Sequence, residues 1–197
     1  LGVKPIAIRY WYGAYPFQVW PWAQDELGDA EPVVLAQGAE LDFEQIAALN
    51  PDLILGITSG MTRDEYDLLS RIAPTVPQPG EFVDYGVPWR DETRIIGRAL
   101  GLSEQAEELI TSVEAQYAAV RAAHPEFAGK TAAVAFNFNN LPGAYSSADA
   151  RSAILMELGF VIPATYDELA GDAFYVSFSE EQMNLLDVDV LVWLSST

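Results

Sequence analysis

The side chains that most often carry out chemistry in enzymes are scarce in this sequence. The 197 residues contain one histidine, His124, and no cysteine, so the usual nucleophile–base triads and thiolate zinc sites cannot form. Ser59 lies in Gly56-Ile-Thr-Ser-Gly60, which lacks the spacing of a nucleophile elbow, and no glycine-rich phosphate loop is present. The sequence therefore predicts a protein that is not an enzyme, with no catalytic residue and no directly bound metal.

Aromatic residues are concentrated near the N-terminus, in residues 10–17 and 20–22. Prolines and a glycine within this segment predict a loop. Two interpretations are open: the rings pack on the core as a hydrophobic patch, or they form a platform for a ligand. The second is attractive because aromatic rings supply contact area at little cost in conformational entropy.

Two stretches in different halves of the chain, residues 42–55 and 179–192, follow the same order of residue types. Each predicts a capped helix followed by a buried strand, and together they predict two similar α/β units. Glu44 matches Glu181, and each falls in the first turn of its helix, where the helix dipole favours a carboxylate. Their matched positions suggest a further use, as one anionic contact on each lobe for a partner with paired arginines.

The remaining patterns predict alternating strands and helices. Strands are expected at 3–10, 33–35, 73–76, 131–136 and 160–162, helices at 62–72, 91–100, 103–124 and 149–158, and a loop at 137–145. The longest helix, which Ser103 should cap, would be about 30 Å long and could serve as a stiff tether. The predicted domains are an N-terminal α/β lobe (1–101), a linking helix (102–128) and a C-terminal α/β lobe (129–197) that is expected to be incomplete.

Charge and composition exclude several classes of partner. The formal net charge of −19 argues against binding nucleic acid, which needs basic patches, and against docking on anionic membranes through basic residues. The ordinary interpretation of such an acidic surface is solubility. Half of the residues are hydrophobic, which is ample for a packed core, and no apolar run is long enough to span a bilayer.

Four stretches, residues 41–55, 69–76, 96–101 and 186–191, resemble the substrate-binding proteins of iron–siderophore ABC importers. Residues 11–17 are most similar to acidic, Gram-positive members of that family. The resemblance implies two Rossmann-like lobes joined by a single long helix, the helical-backbone type of receptor. It also implies a monomer outside the cell, lipid-anchored to the outer face of the membrane, or periplasmic in a Gram-negative organism.

In this family a ferric siderophore is held between the lobes by loops at strand ends, and no cofactor is needed. Carried over to this sequence, the ligand-binding candidates are Trp11, Tyr12, Tyr15, Ser59, Tyr85, Trp89, Arg90, Asn139, Tyr145 and Arg151. The arginines would suit ferric siderophores that carry negative charge. Glu44 and Glu181 occupy the positions at which family members dock to arginines of an ABC importer permease in the cell membrane.

Three alternatives stay open. A haem or cobalamin carrier shares this fold, and an enzyme on a similar two-lobed fold would need a cofactor site. A truncated module could retain only docking through Glu44 and Glu181. A carrier of bare metal ions would need a cluster of histidines and carboxylates, for which one histidine is too few. Hydroxamate, catecholate and carboxylate siderophores are not distinguished by the sequence.

Overall fold

A computed structural model of the protein describes residues 1–10, 13, 15–35 and 41–194, except for the side chain of Glu180. Strands and helices alternate along the chain, which confirms the mixed α/β class. The chain divides into two compact units: unit 1 comprises Leu1–Gly56 and Met61–Pro77, and unit 2 comprises Ile57–Gly60 and Gln78–Thr197. This division falls earlier in the chain than the lobe boundary expected at residue 101, and the lobe boundaries stay a prediction.

Unit 1 consists of short elements. They are β1 (Ala7–Arg9), α1 (Gln24–Leu27), β2 (Val33–Leu35), α2 (Phe43–Ala48), β3 (Ile54–Gly56), α3 (Arg63–Leu69) and β4 (Thr75–Pro77). β1 pairs in parallel with β2, and β3 pairs in parallel with β4. Polar caps determine where two helices begin. Asp42 accepts the Gln45 N–H at 2.9 Å, and Thr62 forms a reciprocal capping box with Glu65, so orphan N–H groups of the first turn are satisfied.

Unit 2 is built around a four-stranded sheet. Its elements are α4 (Trp89–Ala99), α5 (Ser103–Ala123), β5 (Ala132–Phe138), β6 (Leu141–Tyr145), α6 (Ala150–Glu157), α7 (Ala164–Ala170), β7 (Tyr175–Ser177) and β8 (Val190–Leu194). The strand order is β7-β6-β5-β8, with β8 parallel and β6 antiparallel to β5. Residues Ala132–Ala135 of β5 are buried, and they form the core of the unit with side chains such as Tyr166 and Phe178.

The loop predicted at residues 137–145 is instead a β-hairpin. Asn139 and Asn140 have φ values of 52° and 61° and form a two-residue turn between the register partners Phe138 and Leu141. Asparagine tolerates this left-handed conformation, which a type I′ turn requires at both central positions. The sequence signal was weak because Pro142 lies within the strand, where proline removes a ladder donor.

Other elements also differ from the sequence prediction. Ser103 is the first residue of α5, which begins after Leu102 without a side-chain cap. Residues 160–162 contribute only an isolated bridge, between Thr131 and Val161, and α7 and β7 were not predicted. The second copy of the repeated pattern begins with the expected cap at Ser179 but continues as a 3-10 helix over Glu180–Leu186. None of the helices in the described part of the chain has the length and apolar composition needed to cross a bilayer.

The core of unit 2 offers one direct test of its packing. The hydroxyl of Tyr166, in a side chain with no exposed surface, donates to the Leu185 carbonyl at 2.6 Å. Tyr166→Phe would leave that carbonyl without this donor, and we expect a loss of about 1 kcal/mol in the free energy of unfolding. Urea unfolding measures the change, and an unchanged midpoint would show that the hydrogen bond adds nothing.

Candidate functional site

The ends of three neighbouring strands in unit 2 bring aromatic side chains together. Phe136 on β5 lies 4.9 Å from Tyr145 on β6 and 5.8 Å from Tyr175 on β7, measured between ring centroids. Tyr175 in turn contacts Phe174 at 5.1 Å. Tyr145 and Tyr175 are register partners, and Gly143, opposite Phe136 in the neighbouring strand, leaves room for the Phe136 ring. These rings form one continuous aromatic surface.

Arg151 adds a cationic group to this surface. Its guanidinium carbon lies 4.2 Å from the centroid of the Tyr145 ring, a distance suited to a cation–π interaction. Arg151 is in the first turn of α6, and Asp149, the N-cap of that helix, holds it in place: the Arg151 Nη1 donates to Asp149 Oδ2 at 2.7 Å. The other carboxylate oxygen accepts the Arg151 backbone N–H at 2.8 Å.

The segment between β6 and α6 is anchored on both sides. The backbone N–H and the hydroxyl of Ser147 donate to the Asp167 carboxylate on α7 at 2.7 and 2.8 Å. The buried hydroxyl of Ser152 donates to the Tyr145 carbonyl at 3.1 Å. Since every anchor is a hydrogen bond from a partly or fully buried group, the segment holds Tyr145 and Arg151 in fixed relative positions.

Tyr85 extends the aromatic surface toward the loop that follows β3. Its ring lies 5.7 Å from Phe174, edge to face, and its hydroxyl is so close to Gly60 that a Cβ there would lie 3.0 Å away. Tyr85 itself has a φ of 62° and donates its backbone N–H to Gln78 Oε1 at 3.2 Å. The loop Ile57–Gly60, which contains Ser59, therefore adjoins these rings. We call Tyr85, Phe136, Tyr145, Arg151, Phe174 and Tyr175 the aromatic–arginine cluster.

Two other candidates, Trp89 and Arg90, belong to a different group of side chains. The Arg90 Nε donates to Glu114 on α5 at 2.6 Å, and its Nη1 and Nη2 donate to the Glu157 carboxylate at the end of α6, the latter at 3.1 Å. The indole N–H of Trp89 also points to Glu157, at 3.4 Å. Arg90 thereby ties α4 to α5 and α6, which favours a structural role for this arginine.

The Arg90 contacts make the stability of the protein depend on pH. The hydrogen bond from Arg90 holds the pKa of Glu157 below its usual value of 4.5, against the opposing effect of burial. Because the folded-state pKa is the lower one, this stabilisation is complete above pH 4.5 and is lost as the pH falls through the folded-state pKa. We expect urea midpoints to fall less between about pH 6 and about pH 3 in Glu157→Gln than in the wild type. Glu108→Gln, at an exposed position on α5, is the control and should show the pH dependence of the wild type. If the urea midpoints of the wild type and Glu157→Gln fall equally with pH, the contact between Arg90 and Glu157 does not cause the pH dependence.

The other candidates lie elsewhere. Tyr15, in unit 1, packs against Trp20 at 4.6 Å, which continues to Trp22 at 4.9 Å. Asn139 lies in the exposed hairpin turn. Trp11 and Tyr12 lie outside the described residues. Glu44 and Glu181 are both exposed, each in the first turn after a capping residue, as their proposed contact with a partner requires.

Sequence reasoning missed three aromatic members of the cluster and the role of Asp149. Tyr175 is the first residue of β7, which is only three residues long and shows no recognisable alternation of polar and apolar residues, and Phe174 directly precedes that strand. Phe136 was assigned to a strand but not to a site. Asp149 is predicted only as the first residue of the helix at 149–158, although Arg151 two residues later is a visible signal for pairing. Among the described residues, no group of three or more His, Cys, Asp or Glu side chains is arranged to hold a metal ion.

Comparison with known proteins agrees with this architecture. A model of the family described as periplasmic binding protein matches residues 9–197. A periplasmic solute binding protein from Mycobacterium smegmatis is 34% identical, with a TM-score of 0.83 over 100% of this chain and 66% of that chain. No curated protein matches.

Two further solved structures contain ligands. The iron uptake ABC transporter substrate-binding protein PiaA from Streptococcus pneumoniae, in complex with ferrichrome, is 28% identical, with a TM-score of 0.82 over 100% of this chain and 68% of that chain. SirA from Staphylococcus aureus, complexed with staphyloferrin B, is 26% identical, with a TM-score of 0.75 over 98% and 65%. The chain thus spans about two thirds of the length of these relatives. Its sequence match and its fold place it in the periplasmic binding protein family.

Proposed function

We propose that this protein captures a ferric siderophore and delivers it to the permease of an ABC importer. The observation that carries the proposal is the placement of Arg151 on the Tyr145 ring at the edge of a continuous aromatic surface. Support comes from PiaA and SirA, whose structures hold ferrichrome and staphyloferrin B. PiaA is a substrate-binding protein, and the role proposed here is likewise binding without chemistry.

The chemistry of the cluster suits a chelated metal rather than a bare ion. A siderophore surrounds its iron with oxygen atoms, so the protein has to recognise the chelate and need not supply a metal ligand. Aromatic rings can pack against the organic scaffold, and the guanidinium of Arg151 can donate hydrogen bonds to chelating oxygens. Ser59, whose loop adjoins Tyr85, would add a hydroxyl at the edge of the site. Trp11, Tyr12, Tyr15 and Asn139 stay predictions for ligand contact.

A fluorescence titration tests capture, using the five tryptophans as reporters. Ferric hydroxamate, catecholate and carboxylate siderophores would be added one at a time, with their iron-free forms and haem as comparisons and with inner-filter correction. We expect saturable quenching by one ferric type and a much weaker response to its iron-free form. Saturation by haem, or a flat response to every ferric siderophore, would overturn the proposal.

Delivery would depend on Glu44 and Glu181. Both are exposed carboxylates at the start of a helical segment, and a permease with paired arginines could bind them in charge-assisted contacts. The place of action would be outside the cytoplasmic membrane, as a lipid-anchored extracellular protein or a periplasmic one. A monomer is sufficient for this role.

Charge reversal separates delivery from capture. Glu44→Arg combined with Glu181→Arg should reduce iron-55 uptake into cells about tenfold or more, because like charges would meet at the docking surface. The affinity of the purified protein for its ligand should not change. Glu104→Arg, also a first-turn helix glutamate, is the matched control. If the double variant binds ligand less tightly, the two glutamates do not act in docking alone.

A further inference from the structure

Asp149 does more than cap α6. A cap needs one side-chain oxygen, and asparagine and serine serve as well as aspartate at this position. Asp149 instead directs both carboxylate oxygens to Arg151, one to its backbone N–H and one to its guanidinium. The residue is only 4% exposed, and burial raises the pKa of its carboxyl group while the hydrogen bonds and charge of Arg151 oppose that effect. Capping alone does not explain why a charge is buried here.

The pairing offsets the charge of the arginine at the proposed site. The Asp149 carboxylate lies 2.7 Å from the Arg151 guanidinium, so the two together present almost no net charge to a ligand. Elsewhere in the described part of unit 2, Arg90 is paired with Glu114 and Glu157, and Arg94 with Glu107. The protein as a whole is strongly acidic, with a formal charge of −19.

The pairing of Arg151 with Asp149 limits the net charge of the ligand that the site can favour. A multiply anionic chelate needs uncompensated positive charge to offset its loss of hydration. A chelate without net charge needs only hydrogen-bond donors, and a guanidinium has five N–H groups, so it can donate to Asp149 and to a ligand oxygen at the same time. Three hydroxamates bound to one ferric ion give such a neutral chelate, whereas three catecholates give a trianion.

From this geometry we infer that Asp149 is a specificity-determining residue: by neutralising Arg151 it selects ferric tris-hydroxamate siderophores over anionic ferric catecholates and carboxylates. The inference rests on the proposed function and adds the chemical class of the ligand. It also changes the expected role of Arg151, which acts as an oriented hydrogen-bond donor rather than as a source of positive charge.

The test compares dissociation constants of the full chain for ferrichrome, a neutral ferric tris-hydroxamate, and for ferric enterobactin, an anionic ferric tris-catecholate. The wild type should prefer ferrichrome by about 100-fold or more. In Asp149→Asn, which keeps the size and the cap, loss of the carboxylate charge beside Arg151 should improve binding of the anionic complex and reduce the ratio of the two affinities about tenfold. Circular dichroism on heating verifies that the variant is folded.

Glu168→Gln is the control, since Glu168 is an exposed carboxylate on α7 that takes no part in anchoring the segment between β6 and α6. It should leave the ratio of the two affinities unchanged. If the wild type binds the anionic complex at least as tightly as ferrichrome, or if Asp149→Asn leaves the ratio unaltered, the inference fails while siderophore capture stands. If the protein binds neither complex and no other ferric siderophore, the proposed function itself is overturned. If Asp149→Asn does not fold, the ratio of the two wild-type dissociation constants alone decides whether the protein prefers a ferric siderophore without net charge.

Discussion

Arg151→Ala is expected to weaken binding of the ferric siderophore about 100-fold. Hydrogen bonds that involve a charged group contribute about 1.5–3 kcal/mol, and each 1.4 kcal/mol corresponds to about a tenfold change in affinity. The substitution removes these donors and also the group that covers the Tyr145 ring at 4.2 Å. It leaves Asp149 buried without its cationic partner, which should raise the pKa of that carboxyl group further.

The measurement is a calorimetric titration of the purified variant. Arg98→Ala, an exposed arginine on α4, is the control and should bind as the wild type does. Because Arg151→Ala leaves the Asp149 carboxylate buried without its cationic partner, the variant could also be less stable, and its urea unfolding should be measured alongside the titration. A folded Arg151→Ala protein with wild-type affinity would show that the ligand binds away from the aromatic–arginine cluster.

Gly143→Ala is expected to have the largest effect on stability, about 3 kcal/mol. A Cβ at this position of β6 would collide with the Val176 carbonyl of β7 and would come within 2.5 Å of Cζ of the Phe136 ring. Backbone on one side and a packed ring on the other leave little room for relaxation. The strand pairing and the ring position would both have to shift, so ligand affinity should fall together with stability.

Urea unfolding and ligand titration of Gly143→Ala test both effects. Gly80→Ala is a suitable control, because a Cβ at Gly80 would have no atom within 4 Å and should change stability only slightly. A Gly143→Ala protein that is as stable as the wild type would mean that β6 and β7 are more loosely paired than described.

The sequence predicted the framework better than the site. Caps and stops are local signals, and Asp42, Thr62 and Asp149 each begin a helix as expected. The repeated pattern also predicted strands at β3 and β8, but it predicted buried strands, whereas four of the five residues of β8 are exposed. The hairpin of β5 and β6 was not predicted because its turn uses two asparagines and its second strand contains Pro142, so the usual signals are missing.

The site is harder to predict because its members are far apart in the chain. Tyr145 and Arg151 are close in sequence, and both were candidates. Phe136 and Tyr175 join them only through strand pairing, which depends on a register that no short segment specifies. The pairing of Arg90 with Glu157, 67 residues away, could not be foreseen either, and it distinguishes a structural arginine from one at the proposed site.

Paramagnetic broadening in nuclear magnetic resonance spectra tests most directly whether the ferric siderophore binds at this cluster. High-spin ferric iron broadens the signals of nearby amides, whereas the gallium complex of the same ligand has the same charge and is diamagnetic. With ferrichrome, we expect the amide signals of Tyr145, Arg151 and Tyr175 to be broadened by the ferric complex and only shifted by the gallium complex. Broadening centred on residues outside the cluster, with these three signals unaffected, would show that the siderophore binds elsewhere.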